Sequence, residues 1–528
     1  MKETETKRSA PQSARKSRRD VLRAGAVLAG GLAAGMLQGC VTGEEKKDVP
    51  VEKSRTPVSA WDKEYDVIVV GSGFAGMAAA LEARKAGADV LVVDKMPVFG
   101  GNSAINGGAF AVAGSPLQEK EGIKDSVDLM VQDMLKAGRG LNHMGLLKIV
   151  AAGTRPAYEF TLEHGVEYKP FLQHFGGHSV PRTLQTTISS GAGIIRPLKK
   201  SAEKLGVAFR SRCKLEDFVM DENGGVMGLV VRDRYEFPDE KTGELRRFRA
   251  RKAVIMCSGG FSQDRRFRMM QNPNLDGRID STNHPGATSE GMQAMFGVGA
   301  APVQINLIQL GPWTSPDEKG FGMVSQFNTI AGFPNGIMVD VRTGKRFVNE
   351  LADRKARAEA VMTRLDDEGH PVYPVVFCNA KGADRAQTLK ACLKYGVAWE
   401  FDTVEELAKH FGMPVDGLKQ QVATYNEAVR TGEDKEFGKP MGRAVLLDEG
   451  PFYAVRCWPK VHYTMGGVEI NTEGQVMHMR SGQPIPGLYA AGEVTGGPHG
   501  ASRLGSCAVA ETLVIGRLAG RKAALRKA

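Results

Sequence analysis

Three stretches of this 528-residue chain carry residues whose types and spacing could do chemistry. The first is a glycine turn, in which Gly71, Gly73 and Gly76 fall at G-x-G-x-x-G spacing. The first glycine of such a turn permits a tight bend, and the second lets backbone approach a pyrophosphate. The third lets a helix pack closely on a strand, with its N-terminus aimed at the phosphates. Asp94 follows at the end of the next apolar run, where a carboxylate can accept ribose hydroxyls. The second stretch is Phe99 to Gly108, whose small residues let backbone lie against a flat ring while Asn102 and Ser103 supply hydrogen bonds. The third holds Arg503, in a Gly-rich turn before a final helical segment, where a planar guanidinium can grip a carboxylate with both arms. No metal is expected. Cys213, Cys257, Cys378, Cys392, Cys457 and Cys507 form no C-x-x-C, so zinc ribbons, dithiol redox centres and covalent c-type haem lack their ligands. Their scattering points to single, mostly buried thiols, although an even count allows disulfides.

The elements that must position these residues can be read in order. Asp66 to Val70 is a β-branched apolar run suited to a strand buried on both faces, an Ala-rich helix follows over Phe74–Lys85, and Asp89 to Val93 is a second strand. Apolar spacing predicts helices over Asp125–Leu135 and Met144–Leu162 and strands over Ala208–Val219, Gly228–Asp233 and Ala253–Met256. From about Ala301 the texture changes. Strands are expected over Gln304–Gly311 and Gly336–Val341. Thr403 to Glu406 reads as a capping box, and Leu418, Val422, Tyr425 and Val429 form one apolar helical stripe. This middle segment has no phosphate turn of its own, so it reads as an inserted lobe. Gly487 to Glu493 is then a strand entering a Gly-rich turn, and a helix over Ser506–Lys522 closes the chain. The length exceeds what one core usually organises.

The formal charge of +10 is a poor guide to partners. Residues 1–40 hold Lys2, Lys7, Arg8, Arg15, Lys16, Arg18, Arg19 and Arg23 against Glu3, Glu5 and Asp20; the rest of the chain is too weakly basic to argue for nucleic acid. Arg18-Arg19 followed by the modest apolar run Ala24 to Leu37 looks like a twin-arginine export signal and is short for a membrane span. Leu37-Gln38-Gly39-Cys40 is similar to a lipoprotein cleavage box, which would place a lipid on Cys40; plain cleavage is the alternative. Residues 41–62 read as a polar tether. The expected location is the periplasm or the outer face of the cytoplasmic membrane, possession of a lipid anchor deciding between them.

Several stretches together resemble the flavoprotein subunit of soluble fumarate reductases, within the fumarate reductase/succinate dehydrogenase class. They are Gly176-Gly177-His178-Ser179-Val180-Pro181-Arg182, Asn283-His284-Pro285-Gly286-Ala287-Thr288-Ser289-Glu290-Gly291, and Gly344-Lys345-Arg346-Phe347-Val348-Asn349-Glu350 with Arg354. To these belong His462-Tyr463-Thr464-Met465-Gly466-Gly467 and the run from Ala490 to Gly505. The resemblance implies an α/β fold in which a Rossmann-like FAD-binding domain (63–305 plus 464–528) is interrupted by an α+β clamp domain (306–463). It implies FAD held by Gly71, Gly73, Phe74, Ala75, Gly76, Asp94, Lys95, Gly101, Asn102, Ser103, Gly107, Gly108, Glu493, Leu504 and Ser506. A histidine carries FAD covalently in the succinate dehydrogenase branch; here the matching turn holds Asn102-Ser103, so non-covalent FAD is implied. Arg354 matches the arginine proton donor, Arg503 a carboxylate clamp, and Thr329 a threonine that contacts one carboxylate. Reducing a C=C bond next to an electron-withdrawing group needs hydride from flavin N5, a proton for the α-carbon and positive charge for the carboxylate.

Departures from the family pattern narrow the expected substrate. The two histidine positions of the fumarate clamp hold Gly311 and Tyr463, the latter directly after the retained His462, and the glutamate and arginine of the proton relay align with Ile330 and Phe333. These changes predict a larger, more apolar pocket end and make Tyr463 a second candidate for proton donor. The expected reaction is reduction of an α,β-unsaturated carboxylate larger than fumarate, a cinnamate-like aryl-acrylate being favoured. Rival readings are a fumarate or urocanate reductase, a 3-ketosteroid-type FAD dehydrogenase, and a non-catalytic exported electron carrier. With no C-x-x-C-H and no segment left for a second flavin domain, electrons are expected from an external multihaem cytochrome or a membrane quinol dehydrogenase.

Overall fold

The computed structural model describes residues 60–527; the predicted signal, the candidate lipid-anchor residue Cys40 and nearly all of the tether lie outside them. The run that ends at the glycine turn is the strand Lys63–Val70, and its Val67, Ile68 and Val69 are wholly buried. It lies between two parallel neighbours, Val90–Val93 on one side and Glu244–Met256 on the other. A strand enclosed on both edges and covered on both faces has no solvent side to mark with polar residues, which is why its sequence does not alternate. The strand Pro484–Ala490 adds in parallel to the far edge of Glu244–Met256, so residues from the end of the chain complete a sheet begun at its start.

The helix Phe74–Lys85 follows the turn and is buried from Phe74 to Ala83. Its alanine face meets the closing helix Cys507–Leu525, in which Gly516 and Gly520 lie so close to Ala75 and Ala79 that any side chain at either glycine would strike the first helix's backbone. The two ends of the domain are thus sewn together by small residues.

Three predicted strands differ in extent. Ala208–Val219 is two strands, Ala208–Arg210 and Cys213–Met220, because Arg212 takes a left-handed conformation at φ 52°. Ala253–Met256 is only the buried end of the 13-residue Glu244–Met256; its charged first half pairs with the Cys213–Met220/Val226–Asp233 hairpin, where solvent tolerates Glu and Arg. The strand expected from Gln304 starts at Ile308, since Gln304 is itself left-handed.

The middle segment contains a five-stranded antiparallel sheet in the order Lys345–Arg346, Ile337–Asp340, Val375–Asn379, Phe452–Arg456, Trp399–Phe401. The predicted stripe Leu418, Val422 and Tyr425 lies on the helix Val415–Thr431 and is buried against this sheet. Beneath it Arg346 is enclosed at 0% exposure and paired with Glu350 and Asp434 at 2.8–3.1 Å. Where the chain enters and leaves this region, Ile308–Gly311 pairs antiparallel with Lys460–Thr464, which sets Gln309 opposite Tyr463 and Gly311 opposite Lys460. The six cysteines among the described residues are all free and buried, as their spacing suggested. No described helix is long and apolar enough to cross a membrane.

Candidate active site

Gln309 draws the site together. From the entering strand its Nε2 donates to Ser502 Oγ at 2.9 Å and to the Arg503 carbonyl at 3.1 Å, while its Oε1 accepts from Arg354 Nη1 at 3.3 Å. One amide therefore ties the turn before the closing helix to the first residue of the helix Arg354–Met362. That helix is capped by Asp353, whose carboxylate accepts from the Lys355 and Ala356 amides. A guanidinium at a helix N-terminus sits at the positive end of the macrodipole, an unfavourable place for a cation that has no anion to meet.

Arg354 also lies 4.6 Å over the Trp313 indole, and Arg503 lies 4.9 Å over the Tyr463 ring. Arg503 is 6% exposed and donates once within the chain, from Nη1 to the Leu504 carbonyl at 3.2 Å; its Nε–H has no acceptor. Among the described residues neither Arg354 nor Arg503 is paired with a carboxylate, in contrast to the buried Arg346 and Arg182, each held by two acids. Burial, and then the neighbouring charge of Arg503, bring the Arg354 pKa well below the usual guanidinium range. Burial lowers that of Arg503 as well, with Tyr463 opposing. Buried cations without counter-ions are costly unless a ligand supplies the anion.

The ring residues around them are neutral. His462 donates or accepts through Nδ1 with Thr282 Oγ1 at 2.8 Å, and burial together with the two arginines keeps it unprotonated. Burial raises the Tyr463 phenol well above its ordinary range, the nearby Glu511 and Glu493 adding to the effect. His499, whose ring nitrogens find no partner, packs edge-on against Tyr463 at 5.6 Å, and burial holds its pKa at about 3.

Of the clamp residues expected from sequence, Gly311, Arg354, His462, Tyr463 and Arg503 come together here. Thr329, Ile330 and Phe333 occupy a π-helical turn and the start of the next helix. Thr329 is exposed, with its hydroxyl donating to the Ser325 carbonyl at 2.8 Å. Phe333 is buried in the clamp core, where Arg357 stacks on it at 4.9 Å. The opening expected at Gly311 is already filled: a side chain there would meet the Trp313 indole at 3.2 and 3.3 Å and the His462 Cβ at 3.5 Å. Sequence reading missed Trp313, Gln309 and His499. All three stand within a few residues of positions it singled out, but only the strand pairing and the turn show that they converge.

Gly71 has φ +103°, and a side chain on it would collide with the Cys257 carbonyl; one on Gly76 would collide with the Gly71 carbonyl. Facing Gly73 is only the Ser103 hydroxyl at 3.0 Å, which accepts from the Phe74 amide, and Gly101 and Gly107 look onto open space. The helix Phe74–Lys85 thus starts beside a concave, glycine-lined surface. Asp94 Oδ2 accepts from the Ser72 amide at 3.0 Å and from its hydroxyl, and Oδ1 from the Met96 amide at 2.9 Å, leaving further lone pairs for ribose. Asn102 Oδ1 accepts from the His284 amide at 2.6 Å. Glu493 accepts from the Thr464 amide and hydroxyl at 2.9 and 3.0 Å, and burial raises its pKa to about 7. Ala75 serves the helix–helix seam, and Gly108 has no room for a side chain beside Thr186 and Ser190. Lys95 is engaged by Glu290 and Thr288, which makes it an internal ion pair. Leu504 is buried, and Ser506, at φ 59°, precedes the closing helix with its hydroxyl bonded to Thr183 Oγ1 at 2.7 Å. The orphaned nitrogens of His499 and oxygens of Glu511 are further polar groups awaiting a partner. This set fits a flavin dinucleotide.

Comparison with known proteins agrees with the geometry. The FAD binding domain family (FAD_binding_2) matches residues 66–509. The chain is 51% identical over 463 residues to the acrylate reductase flavoprotein subunit of Shewanella woodyi, covering 87% of this chain and 91% of that one. It is 34% identical to a fumarate reductase (cytochrome) of Shewanella frigidimarina, covering 90% of this chain and 79% of the relative. Among solved structures, the open conformation of a flavocytochrome c3 fumarate reductase superposes with a TM-score of 0.74 at 32% identity, over 88% of this chain and 79% of that one. The chain belongs to the FAD-binding family of fumarate reductase-type flavoproteins, as an FAD-dependent oxidoreductase with a Rossmann-like domain and a capping lobe.

Proposed function

We propose that this protein reduces the C=C bond of an α,β-unsaturated acid bearing a single carboxylate. The observation that carries the reading is the pair Arg354, part-buried, and Arg503, buried: Gln309 links the guanidinium of the first to the backbone carbonyl of the second, and among the described residues neither guanidinium meets an acid. Such a pair recognises an anion, which argues against a steroid and gives a mere electron carrier no use for it. Similarity to an acrylate reductase subunit and a fumarate reductase supports the reaction class.

FAD, when bound, supplies the hydride, and its retention without a covalent link is supported by Asn102 and Ser103, whose side-chain oxygens are both engaged by backbone amides. Arg503, fixed over Tyr463, holds the substrate carboxylate. Arg354 delivers the proton to the α-carbon: desolvation and a like charge make it a stronger acid than a solvated arginine. Tyr463 fits this role less well, because its environment disfavours the phenolate that proton donation would leave. Its ring instead orients Arg503. The basic, twin-arginine N-terminus supports export, with Cys40 as a lipid-anchor candidate, and hence an electron donor outside the cytoplasm, either a multihaem cytochrome or a quinol-linked membrane protein.

The test is an anaerobic assay of reduced viologen oxidation by purified holoprotein with acrylate, crotonate, cinnamate, urocanate, fumarate and 4-androstene-3,17-dione. Turnover of at least one monocarboxylic enoate, faster than of the steroid, is expected. Turnover of fumarate at least as fast as of the best monocarboxylic enoate, of the neutral enone alone, or of no substrate refutes the reading.

A further inference from the structure

We infer that Trp313 is the residue that sets substrate size in this site, its indole standing where a side chain at position 311 would otherwise reach the substrate. The inference rests on the enoate reading above and adds the substrate class: short 2-alkenoates that carry neither a second carboxylate nor an aryl group.

Four observations meet at this ring. The backbone of Gly311 leaves a space that the indole fills, at 3.2–3.3 Å from where a Cβ would stand. The same ring is edge-on to His462 at 5.1 Å and lies beneath the Arg354 guanidinium at 4.6 Å, so it touches the arginine assigned to proton delivery. It is held there. Asn328 Nδ2 donates to the Trp313 carbonyl at 3.0 Å, and Thr314 Oγ1 bridges the carbonyls of Gly311 and Trp458 at 3.0 and 2.6 Å. Finally, Trp313 is 7% exposed and its indole N–H has no acceptor within the chain.

A rigid bicyclic ring in this place has two consequences for a bound acid. It occupies the volume that a β-aryl group would need. It also presents carbon faces to any second carboxylate, whose burial beside apolar surface is unfavourable. A vinyl or methyl-substituted vinyl group meets neither obstacle. The glycine at 311 is then part of the same device, since any larger residue would crowd both the indole and the His462 Cβ.

The experiment measures kcat/KM for acrylate and for cinnamate, by anaerobic viologen oxidation, in wild-type, Trp313→Ala and Trp313→Leu holoprotein, with bound-flavin absorbance as the check on folding. Wild-type is expected to prefer acrylate to cinnamate by about a hundredfold or more, because an occupied pocket rejects bulk far better than an empty one rejects a missing methylene. In Trp313→Ala the cinnamate-to-acrylate ratio should rise by about a hundredfold, and in Trp313→Leu, the milder change, by about tenfold. A wild-type enzyme that turns over acrylate while both variants keep its ratio within fivefold overturns the inference and leaves the enoate reading standing. So does a wild-type enzyme that reduces cinnamate as fast as acrylate. If Trp313→Ala loses its flavin, the ratio in Trp313→Leu alone decides. A wild-type enzyme inert toward every enoate sinks the underlying reading instead.

Discussion

Replacing Arg503 by alanine separates binding from folding more sharply than any other change to this site. The side chain is buried, makes one hydrogen bond inside the chain and leaves Nε without an acceptor. An orphaned buried donor costs about 1–3 kcal/mol, and the stacking on Tyr463 at 4.9 Å returns about 0.5–2 kcal/mol. The two nearly cancel, so Arg503→Ala should leave thermal stability within about 3 °C of wild type. Substrate binding behaves differently. Removing one partner of a buried, hydrogen-bonded charge pair costs about 2–5 kcal/mol, or roughly 30- to 5,000-fold in affinity. Arg503→Lys keeps the charge but loses the planar fork, and should recover only part of that loss. Kd is measured by titrating the oxidised holoprotein with an enoate and following the flavin absorbance, turnover by anaerobic viologen oxidation, and stability by thermal melting. An Arg503→Ala protein that binds the enoate within fivefold of wild type refutes the assignment of the carboxylate to this arginine. One that loses more than about 10 °C shows Arg503 to be structural, contrary to its missing partners.

Other expectations follow from the same contacts. Arg354→Met should lower kcat by about 10²–10⁴-fold and Tyr463→Phe by less than about tenfold, as measured by viologen-linked turnover, if the guanidinium and not the phenol moves the proton. The like charge of Arg357 helps lower the Arg354 pKa, so Arg357→Met should move the alkaline limb of the kcat–pH profile to higher pH; a shift to lower pH contradicts the argument. Glu511 is raised by burial from 4.5 to about 8, so the folded protein holds more protons than the unfolded chain between those values, and stability falls as pH rises through them. Glu511→Gln should therefore raise the melting temperature at pH 8 and leave it nearly unchanged at pH 5, as read by calorimetry. Arg346→Met leaves Asp434 buried without its cation and Glu350 with Lys439 alone at 3.5 Å, and should destabilise the capping lobe by about 3–5 kcal/mol in denaturant titration.

Sequence by itself determined what is local. The buried run Val67–Val70, the glycines Gly71 and Gly76 that admit no side chain, and the helix after them are dictated by short-range sterics and burial, so spacing alone reveals them. The stripe on Val415–Thr431 was legible for the same reason, because a helix repeats its buried face every three or four residues. Strand ends were not legible where the backbone breaks at non-glycine positions such as Arg212 and Gln304, since residue type does not announce a left-handed φ there. Motif spacing identified Arg354 and Arg503, yet it could not show that both lack acids, that Gln309 joins them, or that Lys95 is spent on Glu290. Nor could a glycine at 311 reveal whether the space it leaves belongs to the substrate or to the protein. Only the tertiary structure decided that, by folding the turn after Gly311 so that Trp313 comes back into the gap, against His462 from a strand some 150 residues away in the chain. The family chemistry is written in spacing; the shape of the pocket is set by contacts between residues that spacing does not connect.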